Sequence, residues 1–148
     1  MFNRTVDGLT PVVWSHWSRD SESEGRVSGL LKKNIDKADE IRNFEKGHLD
    51  AISLGDVVFG RAVFEPGWKW SECIKPIAGT DLCMVHHNGF IVSGSLHIVM
   101  EDGLEYDVNP GDVFVCPPGH DAWVTSDEAC IAYDFSPGAA NYAKPDRG

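Results

Sequence analysis

Apolar and polar residues alternate along a series of short stretches in the second half of the chain. The stretch 96–101 (LHIVME) has a period of two, which predicts a strand with one face turned inward. Asp102-Gly103 predicts a two-residue hairpin turn, because glycine accepts a positive φ without steric cost. The chain then returns as a partner strand at 104–108. After an NPGD turn, further short strands are expected at 113–116 and 122–125.

Similar short strands are predicted over most of the remaining chain. Strands are also expected at 49–54, 57–65, 81–85, 89–92 and 129–135. Many short strands joined by turns are typical of a small antiparallel barrel or jelly roll. With 148 residues the chain is most simply one domain, and we find no internal repeat. The sequence therefore predicts an all-β, single-domain jelly-roll barrel.

Both ends of the chain lack a sustained period. We interpret 1–42 as an N-terminal arm and linker, 43–136 as the barrel and 137–148 as a C-terminal tail. Trp14 and Trp17 are costly to leave in water, so the arm is expected to be packed. One possibility is that it covers the wall of its own barrel, and the other is that it is exchanged with a second subunit. The expected assembly is a homodimer.

Composition and charge narrow the classes of partner. The formal net charge of −10 argues against nucleic acid and anionic membrane surfaces, since phosphate binding needs clustered Lys and Arg. No apolar run is long enough for a transmembrane span, and the N-terminal residues do not have the pattern of a secretory signal. Four cysteines without an export signal suggest reduced thiols. We therefore expect a cytoplasmic protein with a small-molecule ligand and no nucleic-acid or membrane partner.

The central stretch resembles the cupins. The first cupin motif has an H-x-H pair, three or four residues, a glutamate, six residues and a glycine. Its spacing falls on Asp81, Cys83, His87 and Gly94. The glycine matches, whereas Asp81 and Cys83 stand where histidines are usual and His87 where glutamate is usual. The resemblance covers about 43–135 and implies a cupin-type jelly-roll β-barrel.

The second cupin motif has a glycine, five residues, P-x-G, two residues and a histidine. It falls on Gly111, Pro117, Gly119 and Ala122. The turn residues match again, but alanine takes the place of the last histidine, and His120 lies two residues earlier. The resemblance is closest to small single-domain bacterial cupins.

Two histidines and two cysteines are the candidate reactive groups. The resemblance implies that His87 and His120 enter the barrel from adjacent strands, as general acid and base or as metal ligands. Cys83 occupies a ligand position, and Cys73 is a weaker candidate. The alternatives are a hydrogen-bonded core histidine, a histidine that caps a loop carbonyl, and buried thiols that act as small apolar residues. One divalent metal (Fe, Zn, Mn or Ni) is the expected cofactor, with no cofactor as the alternative.

Aromatic side chains are the candidates for a substrate pocket. Trp68, Trp70 and Trp123 offer apolar area and one N–H donor each, and Glu72 lies near them in sequence. The simpler explanation is that the indoles fill the core of a small barrel.

Three functions remain open. The resemblance implies an enzyme, namely a cyclase, isomerase or oxygenase that acts on an aromatic, polyketide-like or other carbonyl substrate inside the barrel. The alternative is a non-catalytic sensor or carrier with a degenerate metal site. A third possibility is a structural protein that binds a partner through the N-terminal arm.

Overall fold

The computed structural model describes residues 29–145. Residues 1–28 of the predicted arm and linker, with Trp14 and Trp17, lie outside the described residues, as do the last three residues of the predicted tail. The β-structure belongs to the compact unit from Lys32 to Gly148. The predicted all-β fold is confirmed, because this unit consists mainly of two antiparallel sheets.

Nine strands are present among the described residues. They are β1 (Glu40–Phe44), β2 (Gly47–Leu54), β3 (Val57–Phe64), β4 (His87–Ser93), β5 (Leu96–Met100), β6 (Glu105–Val108), β7 (Val113–Cys116), β8 (His120–Val124) and β9 (Cys130–Asp134). The large sheet has the order β1-β2-β3-β9-β4-β7, and the small sheet has the order β6-β5-β8. Sequence neighbours are thus often separated in the sheets, as in a jelly roll.

The core lies between the two sheets. Ile91 of β4 and Ala132 of β9 come from the large sheet, and Leu96 and Ile98 of β5 come from the small one. All four belong to one contiguous cluster of buried side chains. The structure therefore confirms the predicted alternation of buried and less buried residues in 96–100, with Leu96 and Ile98 turned into the core.

The hairpin between β5 and β6 lies where it is predicted, but its loop is longer than the expected two residues. The Gly103 N–H donates to the Met100 carbonyl at 2.9 Å, so Glu101 and Asp102 are the central residues of the turn and Gly103 follows them. Gly103 has a φ of +92°, which favours glycine, and the Leu104 backbone N–H donates to the Asp102 carboxylate at 3.0 Å. The Met100 N–H donates to the Leu104 carbonyl at 2.8 Å and closes the hairpin. These local contacts set the register in which Ile98 lies opposite Tyr106.

Two single-turn helices fill the connection between β3 and β4. They are α1 (Trp70–Cys73) and α2 (Lys75–Ala78), and Gly79 ends the second with a φ of +77°. Among residues 29–145, no helix combines the length and apolar character needed to cross a membrane.

A buried arginine anchors the segment that follows β9. Arg42 of β1 is 9% exposed, and its guanidinium donates to the backbone carbonyls of Ala139, Ala140 and Tyr142. The shortest of these bonds, to Tyr142, is 2.6 Å. Three carbonyls at the end of a short 3-10 turn (Pro137–Ala140) are thus satisfied by one side chain. The predicted tail is in this way part of the folded unit up to at least Tyr142.

We expect Arg42→Met to destabilise the protein by about 2–3 kcal/mol, because it leaves buried carbonyls without donors. Chemical denaturation followed by circular dichroism measures the change. Lys33→Met is the matched control, since the Lys33–Asp39 pair is exposed and such pairs contribute about 0–1 kcal/mol. Equal losses in the two variants would contradict an anchoring role for Arg42.

Candidate metal centre

His87 and His120 meet between the two sheets. His87 is the first residue of β4 in the large sheet, and His120 is the first residue of β8 in the small sheet. Their ring centroids are 5.3 Å apart, with the ring planes inclined at 66°. The prediction that the two histidines lie on adjacent strands is wrong. The partners of β4 are β9 and β7, so the two histidines approach each other across the interior.

Cys83 joins the pair through a backbone bridge. The Cys83 N–H donates to the His120 carbonyl at 2.8 Å, so the residue lies beside β8 although it precedes β4. Its Sγ is 3.6 Å from Nε2 of His87. Cys83 therefore contacts both His120, at the start of β8 in the small sheet, and His87, at the start of β4 in the large sheet.

A partly buried carboxylate fixes the tautomer of His87. Nδ1 of His87 lies 2.6 Å from Oδ2 of Asp134. Because an ionised carboxylate only accepts hydrogen bonds, Nδ1 carries the hydrogen and donates it. Nε2 of the neutral ring then carries a lone pair, and this is the atom that faces the Cys83 sulfur.

Asp134 is itself held in place. Its Oδ1 accepts hydrogen bonds from the Ser136 N–H at 2.8 Å and from the Asn88 N–H at 3.3 Å, and the Ser136 hydroxyl lies 2.7 Å away. Burial by itself raises the pKa of Asp134, but the hydrogen bonds from His87 and Ser136 outweigh it and hold the pKa below its usual value. The carboxylate is therefore ionised at neutral pH and orients the His87 ring.

A backbone carbonyl fixes the tautomer of His120. Nδ1 of His120 donates to the Pro117 carbonyl at 2.7 Å, within the turn that precedes β8. Burial, assisted by the neighbouring His87, lowers the pKa of His120 to about 4. At neutral pH the ring is uncharged with a lone pair on Nε2, which is the form that binds metals.

The thiol of Cys83 completes the cluster. The residue is 1% exposed, and burial raises the pKa of its thiol to about 12. A divalent ion bound there would displace the thiol proton, since a coordinating thiol is deprotonated. In the absence of an ion, the group behaves as a small apolar residue.

The geometry fits a metal ion. The ligand atoms of Cys83, His87 and His120 all lie within 4.8 Å of one another. Bonds of about 2.3 Å to sulfur and about 2.0 Å to nitrogen, at a tetrahedral angle, separate the two atoms by about 3.6 Å. The Sγ–Nε2 distance between Cys83 and His87 is 3.6 Å. Three protein ligands leave a fourth position for water or substrate, as in catalytic zinc sites.

The other predicted site residues lie elsewhere. Cys73 is buried but outside the cluster, and Glu72 is exposed. Trp123 lies on the outer face of the small sheet, where its ring is 4.9 Å from that of His97 and 5.0 Å from the Lys69 ammonium. Trp68 is buried in the core and stacks on Phe64 at 4.0 Å. The four residues predicted to form one substrate pocket are therefore not brought together.

Two cavities flank the cluster of Cys83, His87 and His120. An inner cavity of about 70 Å³ lies between the sheets and is lined by His87, Trp68 and Asp134 among others. A second cavity of about 650 Å³, which we call the mouth cavity, is lined by Trp70, Cys83, Gly138 and residues 141–145 among others. Tyr142 lines both cavities. The larger space thus lies at the end of the sheets, beside Cys83.

Sequence reasoning missed three residues that form this site. Asp134 lies at an inward-facing position of β9, between the buried Ala132 and Ser136. A charged residue on the apolar face of an alternating stretch can be recognised from the sequence. Ser136 follows it as a fully buried polar residue. Tyr142 carries no such signal, because it lies in a segment rich in small residues that predicts a tail.

Neither a protein-family model nor a curated protein matches the sequence. Solved structures do match the fold. Oxalate decarboxylase from Lactobacillus farciminis, in a formate complex, aligns with 84% of this chain at 18% identity and a TM-score of 0.53. Oxalate decarboxylase from Bacillus subtilis, described as having Mn(II) centres, aligns with 79% at 18% identity and a TM-score of 0.55.

The polyketide cyclase RemF from Streptomyces resistomycificus is also similar. It aligns with 72% of this chain and 78% of its own at 13% identity, with a TM-score of 0.52. The chain spans about a third of the length of the two decarboxylases, 35% and 32%. At these identities the similarity concerns the fold alone, which agrees with the motif spacing at 81–122. The described part of the chain has a cupin-like jelly-roll fold.

Proposed function

We propose that this protein is a metal-dependent enzyme that acts on a small carbonyl compound. The observation that carries the proposal is the convergence of three donor groups, of which two are imidazoles with their tautomers fixed by Asp134 and Pro117. Such fixation by outer hydrogen bonds is common for metal-binding histidines. The reaction types that we propose for this site are cyclisation, isomerisation and oxygenation.

The ligand set favours particular metals. Cys83 supplies a soft thiolate and the two histidines supply imidazole nitrogens, a combination suited to Zn²⁺ or Fe²⁺. Mn²⁺ and Mg²⁺ prefer oxygen ligands, and no carboxylate belongs to this cluster among the described residues. A bound divalent ion would supply a Lewis acid that polarises a carbonyl oxygen.

The protein's own residues contribute positioning and exclusion of water. Asp134 and the Pro117 carbonyl hold the two rings by their Nδ1 atoms, so that Nε2 of each ring carries the lone pair. Cys83 and His120 are almost fully buried, at 1% and 4% exposure, so bulk water is kept from the ligand atoms. Without a metal, the same two imidazoles are the candidates for general acid and base.

The test begins with the metal. Freshly purified protein should contain about one Zn or Fe ion per chain, and chelator-treated protein should regain one equivalent of added Zn²⁺. The native mass of the same sample tests the proposed homodimer. Turnover is then assayed with β-keto acids and aromatic ketones before and after metal loading. Failure to bind any divalent ion would overturn the proposal.

A second candidate function is a non-catalytic binder of small molecules. The departure from the cupin ligand pattern at Asp81, Cys83, His87 and Ala122 favours it. A protein that takes up metal and ligand but forms no product from any tested carbonyl compound would support this candidate.

We expect Asp134→Asn to weaken metal binding about 10–100-fold. The neutral amide is a weaker hydrogen-bond acceptor than the carboxylate, so it stabilises the tautomer of His87 that donates from Nδ1 less well. Competition with a chromophoric chelator measures the change. Asp107→Asn is the matched control, since Asp107 lies 2.7 Å from Nδ1 of His97 on the outer face of the small sheet. A similar loss in both variants would show that the effect is not specific to the cluster.

A further inference from the structure

Tyr142 is a buried tyrosine at the boundary between the two cavities. It lines both of them and is 5% exposed. We propose that Tyr142 determines ligand specificity, in that its hydroxyl donates a hydrogen bond to the carbonyl oxygen of a ketone with an apolar body, bound in the mouth cavity. The inference names a contact within the site of the proposed enzyme, and in that respect it rests on the proposed function.

The Tyr142 hydroxyl has no hydrogen-bond partner among the described residues. A buried tyrosine hydroxyl usually has one. The indole N–H groups of Trp68 and Trp70 are unpaired as well, but protein atoms enclose both of them. The Tyr142 hydroxyl is not among these enclosed atoms, although its residue is buried. It therefore faces the open space of a cavity and is free to pair with a ligand.

Three aromatic rings hold the Tyr142 ring in place. Phe44 and Phe64 meet it edge-on, each with a centroid separation of 6.3 Å and with interplanar angles of 81° and 72°. His87 meets it in the same way, at 5.5 Å and 72°. A ring wedged between three others has little freedom to reorient, so the position of its hydroxyl is set before a ligand binds.

The backbone at Tyr142 is held as well. The Arg42 guanidinium donates to its carbonyl at 2.6 Å. Ala143, the next residue, has a φ of +56°, a left-handed conformation that an alanine keeps only where the surrounding structure holds it. Such precise support is more than a ring that only fills space requires, and it is typical of a side chain that must present one polar atom in a fixed place.

Tyr142 lies beside the cluster of Cys83, His87 and His120. Burial raises the pKa of its phenol well above the usual value, and the neighbouring Cys83, Cys73 and Asp134 add to this effect. The phenol is therefore protonated at neutral pH and has a hydrogen to donate. Because Cys83 lines the mouth cavity too, a ligand that contacts the hydroxyl from this cavity also lies next to the cluster.

The rest of the mouth cavity favours a neutral ligand with an apolar body. Ile74 and Ala78 line it from the two short helices, and Met84 lines it from the loop before β4. Lys144 also belongs to the lining, but its ammonium is already 3.5 Å from a Glu40 carboxylate oxygen. A neutral hydroxyl donor in an apolar wall matches a ketone oxygen better than a carboxylate or an amine.

Two probes with the same phenyl body test the contact. Acetophenone carries the carbonyl oxygen, and ethylbenzene lacks it. Ligand-observed NMR titration of the full chain as purified gives a dissociation constant for each probe, in the parent and in Tyr142→Phe. This substitution keeps the ring and removes only the hydroxyl. We expect it to weaken acetophenone binding about three- to tenfold and to leave ethylbenzene binding unchanged within about twofold.

Tyr106→Phe is the matched control. Tyr106 lies on β6, is 64% exposed and lines neither cavity, so its loss should leave both probes unaffected. Chemical denaturation provides a second measurement that needs no ligand. The midpoint of Tyr142→Phe should equal or exceed that of the parent chain, because the hydroxyl gives up no hydrogen bond within the protein. A purely structural tyrosine, bonded inside the fold, would lower the midpoint.

The inference would be overturned by equal losses for the two probes, by an unchanged affinity for acetophenone in Tyr142→Phe, by no binding of acetophenone to the parent chain, or by a lowered midpoint. Metal uptake is measured separately in the same samples. Acetophenone binding that depends on Tyr142 in a chain that takes up no metal would refute the proposed enzyme and leave the contact intact. Metal uptake without such binding would do the opposite.

Discussion

His87→Ala is expected to abolish metal binding by the cluster. The substitution removes one of three candidate ligands and leaves the partly buried Asp134 carboxylate without its imidazole partner. Loss of a residue that only orients a ligand costs about 10–100-fold in affinity, so loss of the ligand itself should cost more than 100-fold. Cobalt titration measures this directly, because a Co²⁺–thiolate bond gives a charge-transfer absorption in the near ultraviolet.

His86→Ala is the control for this experiment. His86 is the neighbouring residue, but it is exposed and its Nε2 lies 2.9 Å from the Asn88 side-chain oxygen, outside the cluster. We expect it to bind Co²⁺ as the parent chain does. A thermal unfolding curve of each variant checks that the fold persists. If His87→Ala retains the parent affinity and the thiolate absorption, the cluster is not the metal site.

Gly94→Ala is expected to destabilise the fold by about 3–5 kcal/mol. Gly94 has a φ of +68°, where a side chain is strained, and an added Cβ would lie 2.6 Å from the Cys130 Cα and 2.5 Å from the Ala129 carbonyl oxygen. Both contacts are with backbone atoms, which cannot rotate away. Denaturant unfolding should show the loss as a lower midpoint with little change in slope.

Gly103→Ala separates strain from close contact. Gly103 has a similar positive φ of +92°, but an added Cβ would meet no atom within 4 Å. We expect a cost of about 1–2 kcal/mol from the backbone conformation alone. Equal costs at the two glycines would mean that the approach of β9 to Gly94 adds nothing.

The sequence predicted the local structure well where turns and alternation specify it. The position of the hairpin at Asp102-Gly103 and the inward face of 96–100 are examples, because both depend on residues that are close in the chain. Motif spacing placed Cys83 and His87 among the candidates, and His120 was a candidate although it lies two residues before the motif position. The structure brings all three together. The tryptophan pocket was less successful, since Trp123 alternates with the buried Ala122 and Val124 and faces outward.

The sequence by itself determined the class of fold, since period-two patterns and turn glycines act within a few residues of one another. Only the tertiary structure decided which groups form the site. Asp134 meets His87 from 47 positions away, and the Arg42 guanidinium meets the Tyr142 carbonyl from 100 positions away. Such pairings depend on the order of strands in the two sheets. That order follows from how the whole core packs, which no short window of residues specifies.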